Sequence, residues 1–400
     1  MNAAQRNPLR WVFMAAFVFA CVLFWWLPSV LLAWLQLPDP IERWTIAVST
    51  LALAFFLSGY VVPQTAGKRA FISRSTMNLC EAFSYRATLV IAIPAFVVGL
   101  RFAAYRAGLA YGEGGDIPLM FQAVLYTHMF VGYMYLGSVP DLEGRNRRRV
   151  LLVCALLLFP RLMVSLHWGR FFVGQTAVAI VFIAMARGWL RLSAVRWLQL
   201  ALLAAVIVFV PALTRGDTLA GNDAFGRPKI VAFFQSGSTL LFFQEYRNLR
   251  PQCPPLLVSL TAKVIPYSAL HVCTMTVGSV HNTPAVLSSV LTRQESNDFG
   301  SGTGSVYLLE LYLTGGMAAL LVGSALFGAS CRWFVEYLGQ RSLLSGVWAE
   351  CLVRALFAPR GDLGYVFERV PSLLLATLAV IVLCRSVEIL RKSPVLVQHT

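Results

Sequence analysis

Anion binding and proton abstraction are the chemistries that the polar residues of this chain suit. The stretch from Arg293 to Gly316, RQESNDFGSGTGSVYLLELYLTGG, holds the densest set. It opens on Arg293, Glu295 and Asp298 and passes through a glycine-punctuated turn at 300–304. It then enters an apolar run that carries Glu310 and Tyr312 in its first turns. A carboxylate at that depth is costly and is expected to face a polar cavity or a paired base. Glycines let the chain turn sharply and expose backbone N–H groups to an anion at a helix start. Two plainer readings stand beside these. Glu310 as the structural partner of a neighbouring arginine is one, and Gly302, Gly304, Gly315 and Gly316 as small residues that let helices approach closely is the other.

Three further groups share this chemistry. Arg161, His167 and Arg170 follow Pro160 at an expected external corner between two short helices. Two guanidinium forks there can hold phosphate oxygens bidentately, or they can snorkel to lipid headgroups as ordinary anchors. The stretch Pro359-Arg360-Gly361-Asp362, near Arg354, reads as an external loop that either completes an anion-binding cleft or is a charged hairpin only. The long segment before Arg293 adds Arg247, Arg250, Lys263, His271 and His281. A histidine such as His281 or a carboxylate such as Glu295 suits the general base for a hydroxyl nucleophile. Taken singly, each of these is more often a solvated loop residue. No cysteine or histidine spacing fits a metal site, so none is expected. Cys253 and Cys273 share one external segment, where a disulfide is open but not required.

The elements that must position these residues are membrane helices. Hydrophobic residues make up 58% of the 400-residue chain and charged residues only 13%; an ordinary soluble domain carries about 25% charged residues. Many apolar runs reach the roughly 20 residues needed to cross a bilayer, and they are continuous, which excludes the alternation of a β-barrel. The fold class is therefore all-α, a polytopic helix bundle. The net charge of +15 sits in short loops between the runs, which fits the positive-inside rule better than a nucleic-acid groove.

About ten spans are expected. Seven lie in residues 1–213, near 11–35, 44–62, 87–105, 118–139, 150–163, 171–186 and up to 213. A long external loop follows over 214–303, with short amphipathic or re-entrant helices near 229–246, 255–264 and 284–291. Three more spans occupy 304–400, near 304–327, 343–357 and 371–389, before a basic tail. The basic stretches around Arg69, Arg147, Arg191 and Arg341 then all fall on one side, with both termini, and the rule makes that side cytoplasmic.

The arrangement of an arginine-bearing corner, a long external loop with Lys263-Val264-Ile265-Pro266, the motif from Gly302 through Gly316 and a late Arg360-Gly361-Asp362 resembles the Wzy-type polymerases of O-antigen and related oligosaccharide repeat units. Residue-level likeness covers about a third of the chain, and members of that family usually carry more than ten spans. The resemblance implies a GT-C-like glycosyltransferase of the bacterial inner membrane. Such an enzyme transfers a growing glycan from undecaprenyl diphosphate to the terminal hydroxyl of another lipid-linked unit, without a cofactor. Its expected partners are membrane lipids, undecaprenyl-diphosphate-linked oligosaccharides and a chain-length regulator, with no nucleic acid. Arg161, Arg170, Arg293 and Arg360 would then hold the diphosphate, where leaving-group charge needs cations. Glu310, His281 and Glu295 would be the catalytic candidates. An O-antigen ligase shares this logic. A lipid-linked oligosaccharide flippase or transporter is the alternative from another class, disfavoured here because the charges are expected at one membrane face and no repeated half is visible.

Overall fold

A computed structural model describes residues 8–27, 30, 41–62, 72–106, 119–167, 171–190, 307–361 and 363–392, with a few isolated positions between 240 and 256. Among these residues every regular element is helical. In chain order they are α1 (Leu9–Cys21), continued by a π-helical turn at Val22–Trp26, α2 (Arg43–Val61), α3 (Arg74–Arg106), α4 (Leu119–Ser138), α5 (Gly144–His167) and α6 (Phe171–Ala186). Then come α7 (Tyr307–Leu338), α8 (Ser345–Ala355), a 3-10 turn (Ala358–Arg360), α9 (Leu363–Phe367) and α10 (Val370–Lys392).

Among the described residues, five stretches are long and apolar enough to cross a membrane: Leu9–Trp26, Arg43–Val61, Arg74–Arg101, Tyr307–Leu338 and Leu363–Leu390. The ten expected are spread over the whole chain. The expected seventh span and nearly all of the long external loop, with Cys253 and Cys273, lie outside the described residues. The expected ninth span is the eleven-residue α8. At 1.5 Å per residue it covers roughly 16 Å, about half of a hydrocarbon core.

Several helices overrun the expected loops. Helix α3 starts at Arg74, because the Ser73 hydroxyl caps it by accepting the Thr76 N–H at 3.1 Å. Helix α5 starts at Gly144, so Arg145, Arg147, Arg148 and Arg149 form its first turns instead of a loop. Arginine is nearly as good a helix former as leucine, so hydropathy marks the bilayer edge without marking the helix end. The expected corner at Pro160 and Arg161 is also corrected: α5 runs through both to His167. Helix α3 comes close at that proline, where a Cβ on Gly99 would lie 3.0 Å from the Pro160 carbonyl oxygen.

Helices from both sides of the long segment share one core. Phe17 of α1 stacks on Phe56 of α2 at 3.8 Å, and Phe56 meets Phe327 of α7 edge-on at 5.5 Å. Helices α2 and α7 touch backbone to backbone at Gly59 and Gly328, where a Cβ would penetrate the facing carbonyls of Ala325 and Phe56. Helix α8 is buried at every residue, with Trp348 stacked on Phe334 of α7 at 5.2 Å.

Several basic residues gather at one end of the bundle. Arg10 pairs with Glu336 at 2.7 Å, and the Tyr60 hydroxyl donates to the Arg10 carbonyl at 2.8 Å. Arg341 pairs with Glu81 at 2.9 Å and donates to the Ser138 carbonyl, while Arg187 donates to that of Val139. Two arginines therefore close the C-terminal end of α4, where carbonyls are left over and the helix dipole favours cations. Burial and the neighbouring Arg341 pull the Arg187 guanidinium down to about 10, still a cation at neutral pH.

Candidate functional site

Away from that basic end, the short helix α9 and the turn before it collect the polar side chains of four other elements. Glu310, wholly buried in α7, accepts the N–H of Leu363 through Oε2 at 2.9 Å. Arg354 of α8, also buried, donates from Nη1 to the Tyr365 carbonyl at 2.7 Å and lies over the Tyr365 ring at 4.3 Å. Gln175 of α6 donates to the Tyr365 hydroxyl at 3.0 Å. The Pro359 carbonyl just before α9 accepts the indole N–H of Trp25 at 2.8 Å, from the π-helical end of α1. The segment 358–367 is thus pinned by α1, α6, α7 and α8 together.

The charges form a connected network. Glu350 Oε1 accepts Arg354 Nε at 3.0 Å and Arg369 Nη1 at 3.4 Å, and Arg354 also meets Glu368 at 2.7 Å. Glu350 and Arg354 stand four residues apart in α8, the spacing that places two side chains on one helix face. Glu350 and Arg354 are buried, whereas Glu368 is 42% exposed, so the network runs from the interior to an accessible edge. Its next member is Arg161, which donates to the Leu125 carbonyl at 3.1 Å. The guanidinium carbons of Arg161 and Arg369 lie 5.0 Å and 3.5 Å from the centroid of one ring, Tyr126. The three arginines, Arg161, Arg369 and Arg354, exceed the two carboxylates of the network, Glu350 and Glu368, by one charge, a balance that a bound anion would offset.

Of the residues singled out from sequence, Arg161 and Glu310 belong to this region. Arg161 is 4% exposed, which corrects its expected place at an external corner. The reason is rotational: within a continuous α5 its side chain points to α4, not to a loop. Arg360 lies in the 3-10 turn that leads into α9, and only its backbone is described. Arg170, His281, Arg293 and Glu295 fall outside the described residues.

Sequence reading missed Glu350, Arg369, Tyr126, Gln175 and Tyr365. A signal existed for the first, since Glu350 and Arg354 form an i,i+4 acid–base pair inside an apolar run. His128, buried in the same helix as Tyr126, was missed as well; its Nε2 has no hydrogen-bond partner among the described residues. Glu350, Arg354 and Arg161 are all buried among the helices of the bundle.

The glycine pair of the sequence motif interrupts α7. Gly316 takes φ 66° and ψ −154°, a conformation open essentially only to glycine. The piece before the break carries Glu310, and its Thr314 hydroxyl donates to the Glu310 carbonyl at 2.6 Å while accepting the Leu256 N–H at 3.2 Å. The break lets the piece of α7 that carries Glu310 meet α9 at its own angle. No protein-family model, curated protein or solved structure matches the chain.

Proposed function

We propose that the chain is a membrane glycosyltransferase that polymerises undecaprenyl-diphosphate-linked oligosaccharide units at the periplasmic face of a bacterial inner membrane, with the basic end of the bundle and both termini cytoplasmic. The observation that supports this most is the meeting of Arg161 and Arg369 on Tyr126 beside Arg354. In the transfer, an acceptor hydroxyl oxygen bonds to the anomeric carbon of the donor glycan. The bond from that carbon to the diphosphate oxygen breaks, and the electron pair leaves with the diphosphate. Guanidinium groups preorganised in a water-poor interior stabilise that developing charge far better than solvated ones. Glu310 is buried and engaged with α9, so it acts as a positioning residue, and the hydroxyl proton goes to His281 or Glu295. Arg170, Arg293 and Arg360 complete the diphosphate grip from the external side.

The flippase reading keeps one supporting observation, the buried Glu350–Arg354 pair, because ionisable groups inside a bundle also mark transport paths. Glycan ladders separate the two. Cells lacking the protein are expected to carry a single repeat unit on the lipid A core, whereas loss of a flippase or ligase leaves none. In complemented cells, Arg369→Lys and Arg161→Lys keep the charge but lose the planar fork. Each is expected to cut polymer yield about ten-fold, equivalent to roughly 1.4 kcal/mol at the transition state, at equal protein level. Glu310→Gln retains an oxygen acceptor for Leu363 and is expected to keep long polymer, while Glu310→Leu loses it. Full-length ladders from both lysine variants would remove the diphosphate site.

A further inference from the structure

The exposed arginines at the basic end of the bundle have no role in the proposed chemistry, and their placement is specific. Arg145, Arg147 and Arg148 are exposed on the first turns of α5. Arg74 and Arg86 are exposed on α3, and Arg385 on α10. These helices are neighbours: Arg149 of α5 lies over the Tyr85 ring of α3 at 4.8 Å, and Thr76 of α3 donates to Glu388 of α10 at 2.6 Å. None of the six makes an ion pair among the described residues, whereas Arg10, Arg332 and Arg341 at the same end are each paired with a glutamate.

Directly beyond them the same helices expose apolar side chains. Leu151 is 60% exposed on α5, Val90 68% on α3 and Leu378 57% on α10. Unpaired guanidinium groups at the margin of an exposed apolar surface match an amphiphile with an anionic head and an acyl tail. A soluble anion would have no use for the apolar part, and a nucleic acid would demand charge without it.

We infer that this rim of α3, α5 and α10 binds anionic phospholipid headgroups, with the acyl chains lying along the apolar faces of the same helices. The surface would anchor the bundle's depth in the bilayer independently of any transferase or transport activity. Basic side chains near an anionic leaflet each strengthen attraction about five-fold, so six on one rim give a marked lipid preference.

The test uses full-length protein in phosphatidylcholine nanodiscs titrated with phosphatidylglycerol, with retained lipid counted by native mass spectrometry. The wild type is expected to retain phosphatidylglycerol over phosphatidylcholine. The triple variant Arg145→Gln/Arg147→Gln/Arg148→Gln should weaken that retention by at least about ten-fold. The matching triple lysine variant keeps charge and should retain the lipid, which separates charge loss from misfolding. Arg101→Gln removes an exposed arginine from the far part of α3 and should leave retention unchanged. Equal retention of both lipids by the wild type, or undiminished retention by the glutamine variant, would overturn the assignment.

Discussion

A methyl group at Gly59 or Gly328 is expected to destabilise the protein by about 3 kcal/mol, the upper end of what overpacking costs. Both glycines lie on the seam between α2 and α7. The atoms that a Cβ would strike are main-chain carbonyls, Ala325 for Gly59 and Phe56 for Gly328. A side chain can rotate away from a clash, but a helix backbone must move as a whole. Moving it would pull Phe56 from Phe17, on which it stacks, and from Phe327, which it meets edge-on. Gly59→Ala and Gly328→Ala should each lower the unfolding midpoint of purified protein in detergent clearly. Their combination should cost less than the sum, because the first change already separates the helices that the second would push apart. Gly174→Ala provides the contrast. Nothing lies within 4 Å of its Cβ position, so it should be neutral or slightly stabilising through helix propensity. Equal midpoints for Gly59→Ala and Gly174→Ala would mean that the two helices are not in backbone contact.

The close approach on that seam was not legible in the sequence, although its glycines were. Hydropathy located α2, α4, α6 and α10 well, because burying apolar side chains in lipid or protein dominates every other local preference, although α7 continues through the expected turn at Arg332 to Leu338. It misjudged where α3 and α5 begin, since Ser73 caps a turn that is too polar to register and arginines extend a helix past the bilayer edge. The motif around Glu310 was legible as an interruption with a carboxylate beside it, and the break at Gly316 and the bond to Leu363 answer to that pattern. Arg161 was found but turned outward, because a proline before it reads locally as a corner. Tyr126 could not be found from its own neighbourhood. Its role depends on Arg161 of α5 and Arg369 of the turn before α10 arriving from 35 or more positions away in sequence, and no one-dimensional period records that meeting.

Arg354→Met is expected to be the most damaging single change in the network. Arg354 is 1% exposed and serves Glu350, Glu368 and the Tyr365 carbonyl at once. Removing it leaves Glu350, itself 3% exposed, with only the longer contact to Arg369. A buried charge that loses its main partner typically costs about 3–5 kcal/mol, a large part of a total stability of roughly 5–15 kcal/mol. The variant should therefore accumulate poorly in membranes and unfold early in detergent. Adding Glu350→Leu removes the stranded carboxylate and fills its space with apolar atoms, a replacement that is often neutral or stabilising for buried pairs. Glu368 does not suffer similarly, because it reaches solvent. The double variant should then recover most of the lost stability. Its glycan ladder should stay short, because the cationic interior beside Tyr126 has lost one guanidinium and the anchor that orients Arg369. Stability and polymer length would thereby separate. A double variant that recovers both would show that the network serves folding alone, whereas one that recovers neither would mean that the pair is needed to set the path of α9 as well as its charge.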